Sequence, residues 1–318
     1  MMVLVTGGTG FVGRYICADL ISRGHRVRAA VRSPEAEARL PPGVEAICVG
    51  DLGPTTDWTN ALRGVEGVVH SAGLAHVGRD APKEAYERVN SWGTARLAHQ
   101  ASEAGIARFV FLSSVKVHGE GSSGRPVDAT DALRPGDPYA RSKALAEDAL
   151  LSEHASAGLP VVIVRPPLVY GPGVKANFRK LMEMVNRGVP LPLGSVRNSR
   201  SLVSVWNLTD MVVTCLLCSR ATGRAWLVSD GEDVSTPDLL RRLARAMNRP
   251  ARVFPFPLQL LGPLLAAVGM RAEFHRLTDS LIVNSAPAGQ ELGWSPPLSL
   301  SEGLERTIRT ERLMARLP

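Results

Sequence analysis

The sequence predicts an α/β protein in which a doubly wound parallel sheet is followed by a smaller C-terminal lobe. Three observations predict this fold class. Apolar runs of strand length alternate with helical stretches from residue 1 to about residue 167. A turn with glycines at 7, 10 and 13 follows directly after the first run. Beyond Gly171 the alternation gives way to loops and amphipathic helices, which indicates a second unit.

The first strand begins at Met2, and the helix after the glycine turn ends at Gly24. Glycine suits this turn because the backbone must adopt conformations closed to other residues and a pyrophosphate must come close to it. The free amides and the dipole at the helix start attract phosphate. We therefore expect a dinucleotide cofactor to be bound by Gly7, Gly10, Phe11, Val12 and Gly13.

The second strand, residues 25–32, ends in Arg32. An Asp or Glu at this place would favour the ribose 2′-hydroxyl of NAD(H), whereas arginine attracts a 2′-phosphate. Arg32, alone or together with Arg28, therefore predicts a preference for NADP(H), with NAD(H) as the alternative. The competing interpretation is an ordinary surface arginine, since the chain has 37 lysines and arginines.

The third and fourth strands provide the remaining cofactor contacts. Asp51 and Leu52 follow the third strand, residues 45–49, and are expected near the adenine. The fourth strand runs into a loop at the carboxyl edge of the sheet, where such folds bind ligands. The cofactor contacts predicted in this part of the chain and beyond are Ser71, Ala72, Gly73, Asn90 and Pro166.

The fifth strand, residues 108–114, ends in Ser114, and Tyr139 opens a helix 25 positions later. Lys143 lies one turn after Tyr139 on the same helix face. A nearby ammonium lowers the pKa of a phenol by favouring phenolate. We therefore predict that Tyr139 is the catalytic acid and base, that Ser114 holds the substrate oxygen, and that Lys143 also holds the nicotinamide ribose. The alternative is an exposed helix pair worth about 0.2–0.5 kcal/mol.

In these motifs the chain resembles the extended short-chain dehydrogenase/reductase family of the NAD-dependent epimerase/dehydratase superfamily. The resemblance rests on TGxxGxxG, a serine before a V-Y-G-like turn, YxxxK, and R-P-P-L-V-Y-G-P-G at residues 165–173. It covers essentially the whole chain and implies a Rossmann fold with a substrate-binding lobe, in which the last motif lies against the nicotinamide. His118 departs from the pattern, because the family usually has tyrosine there.

The lobe resembles that of nucleotide-sugar enzymes. This resemblance implies that Asn177 binds a phosphate, Leu193 contacts the uracil and Arg200 holds the diphosphate of a UDP-sugar. A second arginine is expected later, and Arg271 is chosen with Arg276 as the alternative. Arginine offers a planar fork to phosphate oxygens, which agrees with this assignment. Ordinary surface or packing roles are the alternative for each residue.

Two activities at C4 of the sugar remain open. The resemblance is to bacterial UDP-sugar 4-epimerase-like enzymes and to reductases of UDP-4-keto-6-deoxy-N-acetylhexosamines in polysaccharide precursor synthesis. Because the epimerases usually use NAD, Arg32 favours the reductase, with the 4-epimerase as the alternative. A 4,6-dehydratase would need Asp-Glu where Val115 and Lys116 stand. A flavonoid or steroid reductase shares the cofactor strand but not the lobe motifs, and a non-catalytic NADP-binding redox sensor is a distant alternative.

Composition agrees with a soluble enzyme that binds anionic ligands. The net charge is +7, but the basic residues are scattered along the chain and only 5% of all residues are aromatic. Both observations argue against nucleic acid as a partner. Cys215 and Cys218 lie in an apolar helical stretch and are interpreted as packing residues, so no metal is expected. Reduced thiols suit the cytoplasm, and a homodimer through helices flanking the sheet is common in the family.

The predicted division places residues 1–167 in the cofactor domain, with residues 206–230 returning to it. The substrate lobe then comprises residues 168–205 and 231–318. Residues 258–270 are strongly apolar but too short to span a membrane, which takes about 20 residues. We expect a hydrophobic helix under the lobe, with peripheral membrane contact as the alternative and no stable membrane insertion.

Overall fold

The computed structural model describes residues 1–75, 82–122 and 124–314. Its strands alternate with helices through the first half of the chain, as the periodicity predicts. The strands are β1 Met2–Thr6, β2 Arg26–Val31, β3 Glu45–Cys48, β4 Gly67–His70, β5 Arg108–Leu112, β6 Val161–Arg165, β7 Leu168–Tyr170, β8 Arg200–Ser204, β9 Arg224–Leu227 and β10 Asp233–Val234.

The helices connect these strands and build the C-terminal lobe. They are α1 Phe11–Ser22, α2 Thr59–Leu62, α3 Lys83–Tyr86, α4 Gly93–Glu103, α5 Pro138–Ala157, α6 Ala176–Asn186, α7 Val205–Leu217, α8 Thr236–Ala246, α9 Leu258–Ala267, α10 Arg271–Thr278, α11 Ala286–Leu292 and α12 Leu300–Met314. Between α3 and α4 lies a π-helical turn, Glu87–Trp92, and a 3₁₀ turn, Val115–His118, follows β5.

The main sheet of the described residues is parallel and has the strand order β3-β2-β1-β4-β5-β6-β9. Its central strands β1, β4, β5 and β6 are buried on both faces, which is why they are nearly continuous apolar runs, whereas β2 near the edge alternates between partly exposed and buried residues. One face packs against α1 and α7, and the other packs against α4 and α5. The predicted Rossmann-type α/β fold is confirmed. The fifth strand is shorter than predicted, because Ser113 and Ser114 leave the sheet and lead into the 3₁₀ turn.

The lobe has its own small sheet of order β10-β8-β7 and its own apolar core. Helices α6, α8 and α12 contribute Phe178, Leu181, Leu240, Leu243 and Leu304 to that core. The chain crosses back to the main sheet between these parts: α7 packs on it, and β9 pairs with β6. The main sheet and the lobe are therefore interleaved along the chain.

A buried polar junction, defined here as Tyr170, Ser204, Asn207 and Asp230, joins the two parts. The Tyr170 hydroxyl donates to Asp230 Oδ2 at 2.6 Å, while Asp230 Oδ1 accepts from the Ser204 amide at 2.8 Å and from Asn207 Nδ2 at 2.7 Å. Asn207 also exchanges two hydrogen bonds with the backbone of Leu298. All these polar groups are buried and paired, so separating the lobe from the sheet would leave a carboxylate without its donors.

Candidate functional site

The glycine turn between β1 and α1 is closed to side chains. Gly7 has φ +74°, and a Cβ there would lie 2.8 Å from the Ala72 amide nitrogen. A Cβ at Gly13 would lie 2.0 Å from the Gly7 carbonyl oxygen. Gly10 precedes α1 and provides no side-chain cap, so the amides of the first helical turn point to an open end. This geometry fits a diphosphate bound at the start of α1 by the predicted residues Gly10, Phe11, Val12 and Gly13.

The loop that follows β4 is fixed by a buried chain of hydrogen bonds. Thr94 donates its hydroxyl hydrogen to the Asn90 carbonyl at 2.6 Å, so it accepts from His70 Nε2 at 2.8 Å. The other ring nitrogen of His70 then accepts from Thr6, 2.6 Å away, and Thr6 accepts from the Ala72 amide. Burial, together with the charge of Lys143, lowers the pKa of His70 to about 3, which keeps the ring neutral as this pattern requires.

Asn90 holds the same loop from the other side. Its side chain accepts from the Leu74 amide at 2.7 Å and donates to the Leu74 carbonyl at 2.9 Å and to Ser142 Oγ. The π-helical turn places this buried amide next to the loop. Asn90 thus holds the end of this loop at Leu74, and the cofactor contact predicted for it stays a prediction.

Three arginines lie near the adenosine end of the predicted cofactor site, and the side chain of one of them already forms hydrogen bonds with other parts of the protein. Arg28 donates to Glu45 at 2.8 Å and to the carbonyls of Ala61 and Arg63, so it is held along the sheet and does not assist Arg32. Arg32 is exposed directly after β2. Arg39, which the sequence analysis missed, donates to the Thr9 carbonyl of the glycine turn at 3.4 Å.

The other residues predicted at this end lie in the turn after β3. Asp51 is exposed, and its carbonyl accepts from Thr56, whereas the side chain of Leu52 is half-buried against the apolar core beneath the sheet. They lie at the carboxyl edge of the sheet, as the prediction requires, and their contact with adenine stays a prediction.

The predicted catalytic residues are brought together at the ends of β5 and α5. The Ser114 hydroxyl is within hydrogen-bonding reach of the Tyr139 phenol. Lys143 Nζ donates to the Leu112 carbonyl at 2.8 Å and lies 4.5 Å from the centre of the Phe111 ring. Pro166 accepts from the Val115 amide at 3.0 Å, which places the start of the R-P-P-L-V-Y-G loop beside Ser114. A serine, a phenol and an ammonium therefore converge on one edge of the sheet.

The electrostatics of Tyr139 differ from the expectation. Burial, with the negative charge of Asp137 in addition, raises the pKa of Tyr139 to about 12, although the Ser114 hydrogen bond acts in the opposite direction. Burial also lowers the pKa of Lys143 to about 8. The sequence predicted that Lys143 would lower the phenol pKa, but in the protein alone the ammonium is directed to the Leu112 carbonyl. Activation of the phenol thus requires a further positive charge in the site.

A buried ion pair lies beneath the catalytic residues. Glu147 is one turn after Lys143 on α5, and it accepts from Arg165 Nη2 at 2.5 Å and also from the Ser113 hydroxyl. Arg165 Nη1 donates to His118 Nε2 at 2.9 Å and to the Ala129 carbonyl. Burial, assisted by the Arg165 charge, lowers the pKa of His118 to about 4. His118, the departure from the family pattern, therefore acts as a neutral acceptor for this arginine.

Lys116 pairs with Asp137 at the start of the catalytic helix. Its ammonium lies 2.6 Å from Asp137 Oδ2 and 3.0 Å from Glu120 Oε1. The second oxygen of Asp137 caps α5 by accepting from the Ala140 amide at 2.7 Å. Burial would lower the pKa of Lys116, but its hydrogen bonds to the two carboxylates raise it. Lys116 thus fixes the turn of α5 that presents Tyr139.

The residues predicted to bind substrate lie on separate elements of the lobe, and two of them are exposed. Arg200 donates to the Asp279 carbonyl, which follows α10, at 2.8 Å, and burial lowers its pKa. Asn177 is exposed in the first turn of α6, and Arg271 is exposed at the start of α10. Leu193 is 4% exposed and packs in the lobe core, so only its edge could reach a uracil. The alternative arginine, Arg276, is paired with Glu273 at 2.9 Å.

The two cysteines of the C-x-x-C sequence pack in the hydrophobic core. Cys215 is buried in the core on α7, and Cys218 packs partly against it, as predicted for packing residues. No cluster of three or more metal-ligating side chains occurs among the described residues. Within that same part of the chain, no helix has both the length and the apolar character needed to cross a membrane.

Comparisons with known proteins agree with this geometry. A family model described as "NAD dependent epimerase/dehydratase family" matches residues 3–228. The UDP-glucose 4-epimerase of Vibrio cholerae is 42% identical over 316 residues, which cover 96% of this chain and 94% of that protein. The 2-alkyl-3-oxoalkanoate reductase of Stenotrophomonas maltophilia (strain K279a) is 30% identical over 96% of this chain and 98% of its own.

A solved structure gives the same picture in three dimensions. The structure described as "MoeE5 in complex with UDP-glucose and NAD" is 26% identical, with a TM-score of 0.79 over 99% of this chain and 100% of that chain. The similarity therefore extends over both the main sheet and the lobe.

Proposed function

Because the chain belongs to the NAD dependent epimerase/dehydratase family of extended short-chain dehydrogenases/reductases, we propose that it is a UDP-hexose 4-epimerase. One observation carries this proposal: the similarity to a UDP-glucose 4-epimerase at 42% identity includes the lobe as well as the sheet. The sequence alone favours a 4-ketoreductase, with the epimerase as the alternative. The comparisons support that alternative better.

The nicotinamide cofactor, when bound, would accept the hydride from C4 of the sugar and return it to C4. Gly10 to Gly13 would hold its diphosphate, and Lys143 would hold its ribose. Tyr139 removes the proton of the 4-hydroxyl group and later gives it back to the same oxygen, which is general base and then general acid catalysis. Ser114 holds that oxygen against the phenol. The further positive charge that Tyr139 needs as a base would come from the oxidised nicotinamide.

An epimerase must turn its keto sugar over between the two hydride steps while keeping the nucleotide bound. Arg200 is suited to hold the diphosphate during this step, because its guanidinium is fixed to the backbone after α10 and keeps further N–H groups for phosphate oxygens. Asn177 and Arg271, both exposed on the lobe, would complete the grip. The sugar itself would remain free to rotate above Tyr139.

A reductase of a 4-keto sugar is the second candidate, and the arginines at the adenosine end favour it. Arg32 is exposed where an acidic residue would select NAD(H), and Arg39 is held at the glycine turn close to the same end. Two guanidinium groups suit a 2′-phosphate, so we propose that NADP(H) binds more tightly than NAD(H). A reductase consumes NADPH, whereas an epimerase regenerates its cofactor within each cycle.

The test incubates the purified protein with UDP-glucose and, separately, with UDP-N-acetylglucosamine, and detects the products by chromatography. C4-inverted UDP-sugar formed without added reductant is the expected result. A parallel incubation contains NADPH and a UDP-4-keto-6-deoxy-N-acetylhexosamine and is followed by NADPH absorbance. Stoichiometric loss of NADPH there, with no epimerised product from either UDP-sugar, would replace the epimerase by the reductase. The Tyr139→Phe variant serves as the control for catalysis by contaminants.

We also propose a homodimer through the helical layer formed by α4 and α5. Trp92, at the end of the π-helical turn that leads into α4, and Leu145 on α5 are 50% and 36% exposed and offer apolar contact area to a second copy. Light scattering at several concentrations would test the proposal, and a monomer at all of them would reject it.

A further inference from the structure

Helix α9 of the lobe exposes an apolar face. Leu260, Leu264 and Val268 are 58%, 59% and 68% exposed, and their spacing of four residues places them in one row, called here the apolar stripe. The opposite face of α9 is satisfied, because Leu261 is buried in the lobe core, with Leu258 and Leu265 packed against that core. The sequence predicts that this helix lies under the lobe. In the structure only one face of the helix packs on the lobe, and the other face is exposed.

The neighbouring helix α8 shows what an ordinary surface helix of this lobe looks like. Its inner face buries Leu239, Leu240 and Leu243, while Arg241 and Arg245 lie towards solvent. A helix that packs on one side is expected to be polar on the other. On α9 the only polar side chain is Gln259, and residues 254–270 contain no charged residue at all. The apolar stripe is therefore a departure from the chemistry of its own lobe.

The chain on both sides of α9 is strongly basic. Residues 245–276 contain five arginines and one glutamate: Arg245, Arg249, Arg252, Arg271, Arg276 and Glu273. Arg249, Arg252 and Arg271 are exposed. Phe254 and Met270, which flank the helix, are 42% and 43% exposed and extend the apolar surface at its two ends. An uncharged row of large side chains is thus preceded and followed in the chain by exposed cationic groups.

We propose that the apolar stripe and the arginines around it form a peripheral docking surface for an anionic lipid bilayer. Helix α9 has ten residues and is about 15 Å long, so it can lie in the plane of the interface but cannot cross a hydrocarbon core of about 30 Å. Its apolar side chains enter the boundary of the acyl chains while the arginines contact lipid phosphates. Docking a second copy through the same face would bring two sets of arginines together, which disfavours that occupant.

This docking goes beyond the proposed epimerase activity and does not depend on it. No residue of the apolar stripe belongs to the cofactor site or to the predicted substrate contacts. One arginine of the docking surface, Arg271, is also a proposed diphosphate contact, so lipid binding is measured without substrate and the test variant changes only residues of the stripe.

The experiment is co-sedimentation of the full chain with vesicles of phosphatidylcholine containing about one third phosphatidylglycerol, beside vesicles of phosphatidylcholine alone. The test variant is Leu260→Ser/Leu264→Ser/Val268→Ser. The control variant is Leu217→Ser/Leu313→Ser, which removes side chains that are 54% and 57% exposed elsewhere on the molecule. A second readout uses Leu264→Trp, whose fluorescence shifts to the blue if this position enters an apolar medium.

We expect the wild type and the control variant to sediment with the anionic vesicles at least tenfold more than the test variant. Binding to the zwitterionic vesicles and binding at high salt should be weaker, because the arginines no longer contribute. The proposal is overturned if the wild type stays in the supernatant with anionic vesicles, or if the test variant sediments as the wild type does. It is also overturned if Leu264→Trp shifts without lipid as the protein is concentrated and the serine variant abolishes self-association, since the occupant is then a second copy.

Discussion

The two ends of the candidate site are built in different ways. At the catalytic end Lys143 is held by the buried Leu112 carbonyl, and Arg165 beneath it is held by Glu147. At the ends that face the ligands, Arg32, Asn177 and Arg271 are exposed. The difference shows that the chemistry depends on side chains already fixed by the protein, here called the catalytic floor (Lys143, Glu147 and Arg165). Recognition depends instead on exposed side chains that can adapt to the molecule they bind.

The largest effect is expected from Tyr139→Phe. Removal of the hydroxyl deletes the only proton donor and acceptor proposed at the substrate oxygen, so kcat should fall by about 10³-fold. Binding of the cofactor, measured by protein fluorescence, should change little, because Lys143 and the glycine turn remain. Turnover near the wild-type level would refute the assigned mechanism. The catalytic end would then no longer be identified as the place of proton transfer.

The floor itself is tested by Glu147→Gln. The variant leaves the Arg165 guanidinium buried without its counter-ion, and we expect a loss of about 3–5 kcal/mol in the free energy of unfolding. Urea denaturation measures this loss. The matched control is Glu183→Gln, whose partner Arg179 is 63% exposed; it should cost less than about 1 kcal/mol. Similar losses in the two variants would mean that the buried pair contributes nothing special.

At the adenosine end, Arg32→Asp should weaken NADPH binding by about 10- to 100-fold, since a charge-assisted hydrogen bond to phosphate is replaced by repulsion. NADH binding should change much less. Arg39→Ala is expected to act in the same direction with a smaller effect, and Arg28→Ala, whose side chain is held by Glu45, should not alter the preference. Isothermal titration of the two cofactors decides, and equal losses for both would remove the basis for NADP(H).

In the lobe, Arg200→Ala should raise KM for the UDP-sugar by about tenfold with a smaller change in kcat, because it removes one contact to the diphosphate. Arg271→Ala should behave alike, and Arg276→Ala, whose side chain already pairs with Glu273, should have the least effect. Steady-state kinetics measures the split. A fall in kcat with unchanged KM for Arg200→Ala would place this residue with the catalytic floor instead.

A last prediction concerns the two buried histidines and appears only at acidic pH. The pKa values of His70 and His118 lie at about 3 and about 4, below the ordinary 6.5, so the unfolded chain binds more protons than the folded one in this interval. Stability should be unaffected above pH 6.5 and should fall as the pH decreases below it. Each histidine contributes about 1.4 kcal/mol per pH unit while only its unfolded form is protonated.

Urea unfolding at a series of pH values measures this slope. We expect His118→Asn to remove about one histidine's share of the slope, with the share of His70 remaining. A slope as steep in His118→Asn as in the wild type would show that this ring takes up its proton at the same pH in the folded and unfolded protein.

The parts that the sequence predicts well are those set by short-range periodicity. The glycine turn, the Tyr139 and Lys143 pair and the strand runs follow from spacing along one element. Glu147 could have been found by the same reasoning, because it lies one turn beyond Lys143. Arg39, the Lys116–Asp137 pair and the commitment of Arg28 to Glu45 could not, because each depends on which separate segments meet in space. The sequence likewise identifies α9 as apolar but not how much of it faces outward.

The polar junction of Tyr170, Ser204, Asn207 and Asp230 has a consequence for how such proteins diversify. Tyr170 and Ser204 end strands of the small sheet, Asn207 lies in the first turn of α7, and Asp230 lies in the loop after β9, so none belongs to α6, α8, α9 or α10. Of these helices, α6 still contacts the junction, because Phe178 stacks on Tyr170 with ring centres 5.3 Å apart. A chimera that keeps the junction and Phe178 and replaces α8, α9 and α10 would inherit the reactive edge of the sheet and acquire a new choice of substrate.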